Sequence, residues 1–275
     1  MKQEKIHKKK NSKKTKEPSQ PPLIYRSLPC THVDGNRFEQ GLQDVIEEMP
    51  IALFINGRHS TTLMVSPIRL EDFVTGYLFT EELIKTTREI ESIKIEKNRI
   101  SVITKNLFKV LPQKKTILSG CGGSTSFIDT EKLPRIHSDF SISAAAVTAS
   151  INTLQDSDIY RAAGGFHRVV LLDSHREIGR AEDIGRHNAV DRIIGYALRN
   201  GVFLSQTFLV TSARISSEMV RKCLTANIPI MVSRSATSTL AIEIADRTGM
   251  TVIGFARDGK MDIYCHPERI TQSTK

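Results

Sequence analysis

In the second half of the chain, short β-branched runs alternate three times with helix-length amphipathic segments. After "EIGRAED", a helix fits "GRHNAVDRIIGYALRN", followed by "TFLVT", a helix over "SSEMVRKCLTA", "IPIMVS", a helix over "TSTLAIEIADRTG", and "TVIGFA". Strands separated by helices of about ten or more residues build βαβ units, which give a mainly parallel sheet covered by helices. The expected fold class is therefore α/β. In the first of these helices Ala189, Val190, Ile193, Ile194 and Ala197 share a face, and Gly201 supplies the stop. Upstream, "SISAAAVTASINTLQ" reads as a small-residue helix, and "RVVLLD" as a strand that turns at Ser174-His175.

The first half has a different texture. "PIALFINGRHSTTLMVS" alternates around Asn56-Gly57 as two strands with a tight turn, and "IESIKIEKNRISVITKN" turns at Lys97-Asn98. Between them Leu70, Phe73, Val74, Tyr77, Leu78 and Leu83 recur at helical intervals. The expected organisation is a basic, disordered tail over residues 1–22, a hairpin-rich α+β region over 23–140, and an α/β cofactor-binding domain over 141–275.

Net charge is +9, but residues 1–20 hold eight Lys against two Glu, so +6 sits there and +3 is spread over the rest. The folded part is nearly balanced, and nucleic acid is not an expected partner. The basic start has no apolar stretch after it and no later run is long enough to span a bilayer, so a cytoplasmic protein without a membrane partner is expected.

Cys30, Cys121, Cys223 and Cys265 are far apart and form no CxxC pair, so neither a structural zinc site nor a disulfide framework is expected. Cys223 recurs with Met219, Val220 and Leu224 at helical spacing and reads as core. Cys121 differs, because "ILSGCGGSTS" surrounds it with glycines and small hydroxyls. Amides and access in such a loop, with Lys114 and Lys115 close in sequence, suit a thiolate. A Gly-rich loop is a poor support for a hydrolytic triad but suits a carrier that swings between two sites. An incidental loop thiol is the alternative.

Ligands of open α/β sheets collect beyond the carboxyl ends of strands. The loops expected there are Ser212-Ala213-Arg214, Arg234-Ser235-Ala236-Thr237 and Ala256-Arg257-Asp258-Gly259-Lys260, which combine small hydroxyls, helix starts and arginines. Those are the parts needed to hold phosphate. "RAAGGFHR" adds paired glycines and His167, and "AEDIGRHNAVD" adds Arg186 at a helix start, with Glu182 and Asp183 readable as caps. His187 and Asp191, four apart, have no third ligand, and the zinc-deaminase signature of HxE with PCxxC is absent, so no metal is expected.

Taken together, "GGFH", "EDIGRHNAVDRIIG", "TSARISSEMVRK", "SRSATSTLAIEIA" and "TVIGFARDGKMDIY", preceded by "PIALFINGR" and "MVSPIRLEDFVTGYLFTEELI", resemble the formate dehydrogenase accessory sulfurtransferase family, FdhD, over about residues 45 to 265. The resemblance implies a cytidine-deaminase-like layered core without its zinc chemistry. It implies a sulfurtransferase that takes sulfur from a cysteine desulfurase as a persulfide on Cys121. The acceptor would be the bis-molybdopterin guanine dinucleotide form of the molybdenum cofactor, destined for formate dehydrogenase. A homodimer is also implied.

In the same reading Phe255, Ala256, Arg257, Asp258, Gly259 and Lys260 match the family's cofactor-binding segment, and His167 and Arg186 are expected to assist it. The chain departs from the family pattern where CxxC is common, since the loop here reads Cys121-Gly-Gly-Ser124 and closes no internal disulfide. Thr237 and Asp262 replace a proline and an asparagine. A non-catalytic chaperone for the cofactor is the alternative that the missing second cysteine suggests.

Overall fold

A computed structural model describes residues 24–106, 133–155 and 157–272, with the backbone of 116–117 and 124–125. It opens with β1 (Tyr25–Asp34) and β2 (Arg37–Ile46), an antiparallel ribbon turned at Gly35, whose φ is 60°. The sequence reading does not anticipate this ribbon. Each strand alternates weakly by itself, and only the pairing of Val33 with Phe38 and Pro29 with Leu42 creates an apolar face.

Next come β3 (Met49–Ile55), β4 (Arg58–Val65), α1 (Leu70–Thr80), β5 (Ile90–Glu96) and β6 (Arg99–Thr104), with the four strands ordered β4-β3-β6-β5. Asn56 and Gly57 adopt φ of 50° and 79°, the left-handed pair that a two-residue hairpin turn requires. Phe73, Val74 and Leu78 of α1 bury themselves on Ile51, Leu53, Ile100 and Val102 of this sheet. Full burial of each such side chain contributes roughly 1.5–3 kcal/mol.

β7 (Thr116–Ile117) and β8 (Ser124–Thr125) pair antiparallel. Cys121 falls between them in sequence and outside the described residues, as do residues 1–23, which include the expected tail.

The remainder runs β9 (Ile142–Ser143), α2 (Ala144–Asn152), α3 (Asp158–Ala163), β10 (His167–Leu172), β11 (Glu177–Asp183), α4 (Arg186–Arg199), β12 (Phe208–Thr211), α5 (Ser217–Thr225), β13 (Ile230–Ser233), α6 (Thr239–Thr248), β14 (Thr251–Arg257), β15 (Lys260–Cys265) and β16 (Ile270–Thr271). Six of these strands form one sheet in the order β11-β10-β12-β13-β14-β15.

The sheet is mixed, which corrects the expectation of a mainly parallel one. β11, β12, β13 and β14 share a direction as the alternation requires, yet only the β12–β13 and β13–β14 pairings are parallel. β10 and β15 are hairpin partners of their neighbours and so must run antiparallel, and β10 also inserts between β11 and β12. Leu209 and Met231 point to the layer of α4, α5 and α6, while Val210 and Val232 point to the α2 side, so helices cover both faces.

α1 lies across α4 with backbone nearly touching backbone. A Cβ added at Gly76 would stand 1.7 Å from the Asp191 carbonyl oxygen, and one at Gly195 would stand 1.8 Å from that of Asp72. At the end of this crossing sits a buried ion cluster. The Lys222 ammonium donates to both Asp191 carboxylate oxygens at 2.9 Å, and to Glu81 Oε1 and Thr80 Oγ1 at 3.0 Å, while Arg221 pairs with Glu81 at 2.8 Å.

Candidate functional site at the sheet edge

The carboxyl ends of β11 to β14, together with the start of β10, fall on one edge of the six-stranded sheet. Two left-handed glycines, Gly164 and Gly165 (φ 65° and 70°), lead the chain into β10 at His167, which lies opposite Asp183 in register. Burial, then the neighbouring Arg186 and Arg214 guanidiniums, hold the His167 pKa below the usual histidine value, with Asp183 opposing. The imidazole is neutral near pH 7 and able to give or accept one hydrogen bond.

Asp183 is fully buried and organises the entry to α4. Its Oδ1 accepts from the Gly185 amide at 2.8 Å and Asn188 Nδ2 at 2.9 Å, and its Oδ2 accepts from the Ser66 amide at 3.1 Å and from Arg192. Any side chain at Gly185 would meet Asn188 Nδ2 at 2.8 Å. Glu182 accepts from Ser157. Both acids are thus structural, and what the turn presents at the start of α4 is Arg186.

The next two loops are stitched together. The Ile215 amide donates to the Ala236 carbonyl at 3.0 Å, Ser238 returns an amide bond to Ile215 at 3.1 Å, and Ser233 Oγ donates to the Ala213 carbonyl at 2.6 Å. Thr237 bridges to Ile215, and Ser238 Oγ caps α6 through the Ala241 amide, so the loss of proline at position 237 leaves the helix start intact. Arg168 adds a cation that sequence reasoning passed over. It lies 3.8 Å over the Tyr160 ring and donates to the Leu154 carbonyl, with Arg234 near enough to disfavour its charge.

Phe255 to Arg257 end β14, and Asp258 and Gly259 turn the chain into β15 at Lys260. The Phe255 amide donates to the Ser235 carbonyl at 2.9 Å, which ties the segment to the loop after β13. Asp258 and Gly259, with φ of 52° and 73°, form the left-handed pair of a two-residue hairpin turn, as at Asn56-Gly57, while Phe255, with φ of 49°, is a left-handed non-glycine residue of the kind that clusters where a backbone is shaped for function. Ala256 is buried in the core beneath the turn, while Arg257, Asp258, Gly259 and Lys260 are exposed. A cavity of about 190 Å³ lies between residues 256–261 and Thr148, Ile151 and Asn152 of α2.

His167 and Arg186 are therefore close enough to influence each other, and the 255–260 segment shares their edge three strand spacings away, roughly 14 Å. Cys121 lies outside the described residues. Cys223 is fully buried with its thiol pushed up to about 12, and Cys265, bonded to the Met250 carbonyl at 3.1 Å, is pushed up to about 11 by burial; neither is a candidate thiolate. His187 and Asp191 are not a helix-surface pair, since both are buried and each has a different partner on α5, Glu218 and Lys222. Among the described residues, no helix is long and apolar enough to cross a membrane.

Residues 46–271 match the model of the FdhD/NarQ family. The chain is 33% identical over 250 residues to the sulfur carrier protein FdhD of Bacillus subtilis (strain 168), covering 86% of this chain and 95% of that one. It is 30% identical over 251 residues to the sulfur carrier protein FdhD of Geobacillus kaustophilus (strain HTA426), covering 88% and 95%. A crystal structure of a Desulfotalea psychrophila protein, described as a formate dehydrogenase accessory protein, superposes with a TM-score of 0.77 at 26% identity, covering 90% of this chain and 100% of the other.

Proposed function

Because the chain belongs to the FdhD/NarQ family, we propose that it is a cytoplasmic sulfurtransferase that carries sulfur on Cys121 from a cysteine desulfurase to the molybdenum cofactor of formate dehydrogenase. In loading, the Cys121 thiolate attacks the outer sulfur of the desulfurase persulfide. The desulfurase S–S bond breaks, its thiolate leaves, and Cys121 becomes the persulfide. Delivery of that sulfur as sulfide takes two electrons. With Ser124 in place of a second cysteine, they come from an external thiol rather than from a disulfide closing within the loop.

The acceptor is read as the bis-molybdopterin guanine dinucleotide cofactor, bound along the sheet edge. The observation that carries this reading is the shared edge of the Phe255–Lys260 segment, His167 and Arg186, with Arg214 and Arg234 in the same row of loops and Arg168 at the start of β10. Guanidiniums and loop amides spaced over roughly 14 Å suit a ligand with several phosphates. The relatives, both sulfur carrier proteins by name, support the sulfur-carrier role.

The test is intact-protein mass spectrometry after incubation with a cysteine desulfurase and cysteine. Wild type gains one sulfur that reductant removes, and Cys121→Ser gains none. If wild type gains none while a relative with two loop cysteines loads in parallel, the carrier role is abandoned for that of a cofactor chaperone.

The reading includes a homodimer, supported by the β1–β2 ribbon. Tyr25, Pro29, Val33, Phe38, Leu42 and Ile46 lie on one face, with Phe38 71% and Leu42 67% exposed. Replacing Phe38 and Leu42 together by Glu is expected to turn a dimer into a monomer by light scattering at micromolar concentration. A monomeric wild type at that concentration sinks the dimer.

A further inference from the structure

After β15 the chain turns at His266 into a single 3-10 turn, Pro267–Arg269, and then into β16. β16 pairs in parallel with β9, Ile270 opposite Ile142, and β9 runs directly into α2. Arg269 fastens the same strap. Its Nη1 donates to the Ser138 carbonyl at 2.7 Å and the Phe140 carbonyl at 3.3 Å, and its Nη2 to the Gly249 carbonyl at 3.3 Å. Thr148, Ile151 and Asn152 of α2 wall the cavity beside residues 256–261, so what holds the strap also steadies that wall.

His266 is the corner of the strap. Its φ is 49°, a left-handed conformation that a non-glycine residue keeps only when its surroundings hold it. Three bonds do so. The His266 carbonyl accepts from Thr251 Oγ1 at 2.8 Å, Nε2 donates to the Asp246 carbonyl in the last turn of α6 at 2.8 Å, and Nδ1 donates to Glu268 Oε1 at 3.0 Å. A backbone carbonyl and a carboxylate only accept, so both ring nitrogens must carry hydrogen. A neutral imidazole carries one, and the imidazolium carries two. The clasp is complete only when the ring is charged, and its side chain is 26% exposed, so solvent supplies and removes the proton.

The groups around the ring favour that charge. Burial opposes it, but the Asp246 carbonyl, then Glu268 and the Asp246 carboxylate 4.0 Å away, hold the His266 pKa above the usual histidine value. Glu268, beside its own backbone amide and the ring, is held below the usual carboxylate range. Arg269 is committed to its three carbonyls, and the Cys265 thiol, pushed up to about 11, stays neutral. The clasp's contribution is therefore complete below pH 6.5 and is lost as the pH rises through the higher folded-state value.

We propose that His266 is a proton-controlled latch: its imidazolium pins the strap of residues 267–271 to α6 and, through the β16–β9 pairing, steadies the start of α2, and both slacken when the ring loses its proton. The latch does not depend on the cofactor reading and operates in the chain alone.

The test is hydrogen–deuterium exchange of the full chain at about pH 5.5 and about pH 8.5, read by mass spectrometry as protection relative to the intrinsic rate at each pH. Peptides covering 266–272 and 139–147 are expected to be at least about threefold better protected at the lower pH, with α4 unchanged as the internal control. His266→Gln, uncharged and donating through one nitrogen only, is expected to remove the difference by bringing acid protection down to the alkaline level. Glu268→Gln gives the neutral ring an amide that donates back, and is expected to shrink the difference. Wild-type protection that is the same at both pH values, or a difference that persists in His266→Gln, overturns the latch. So does a difference confined to 266–272, because the strap then does not hold α2, or one equally large in α4, because the whole fold is then losing stability.

Discussion

Replacing Asp191 by Ala lowers the unfolding free energy by about 3–5 kcal/mol, measured by urea denaturation at pH 7. The loss comes from the partner left behind. Lys222 is 3% exposed, and burial alone would pull its pKa down, yet Asp191 and Glu81 hold it above the ordinary lysine value. Without Asp191 the ammonium keeps only Glu81 and Thr80, in a site that water cannot reach freely.

Removing both charges is a different experiment. Asp191→Leu with Lys222→Met leaves the Arg221–Glu81 pair in place and is expected to recover most of the loss. A double variant as unstable as the sum of the single ones would show that the cluster is held by packing and not by charge. The pH dependence follows from Glu81. Burial tends to raise its pKa, but Lys222 and Arg221 lower it below 4.5. Its contribution is therefore complete above pH 4.5 and is lost as the pH falls through the lower folded-state value. Lys222→Met flattens that acid limb.

Gly76→Ala is the second large effect. In an ordinary helix interior the change would stabilise by roughly 1 kcal/mol. Here the methyl group would stand 1.7 Å from the Asp191 carbonyl oxygen and 2.8 Å from the Gly195 amide, both backbone atoms of α4 that no rotamer change can move. The helices must separate, and overpacking of this kind costs about 3 kcal/mol, for a net loss of about 2. The melting temperature falls by about 4–8 °C. Adding Gly195→Ala costs less than it does alone, because the helices are already apart. A neutral or stabilising Gly76→Ala would mean that α1 does not sit against α4 at this distance in solution.

The βαβ series was legible because its signals are local. Periodicity located α4, α5 and α6, Cys223 was placed in the core by its helical neighbours, and the strand ends predicted the cationic edge. What escaped depends on partners distant in sequence. No local feature of "RVVLLD" says that it separates β11 from β12, and neither strand of the β1–β2 ribbon is apolar enough alone to announce the face they make together. Glu218 and Lys222 read as the polar side of an amphipathic helix, and only the docking of α1 turns that side into an interior.

β10 precedes both of its sheet neighbours in the chain, yet one of them, β12, is made only after the whole of α4. During synthesis the β10–β11 hairpin closes early and waits. Until β12 emerges, the backbone of Val169, Val170, Leu171 and Leu172 forms an open, apolar strand edge of the kind that recruits other chains. A chain stalled or cut between α4 and β12 is therefore more hazardous to its neighbours than one stalled before β10, and the arrival of four residues, Phe208 to Thr211, is what retires the hazard.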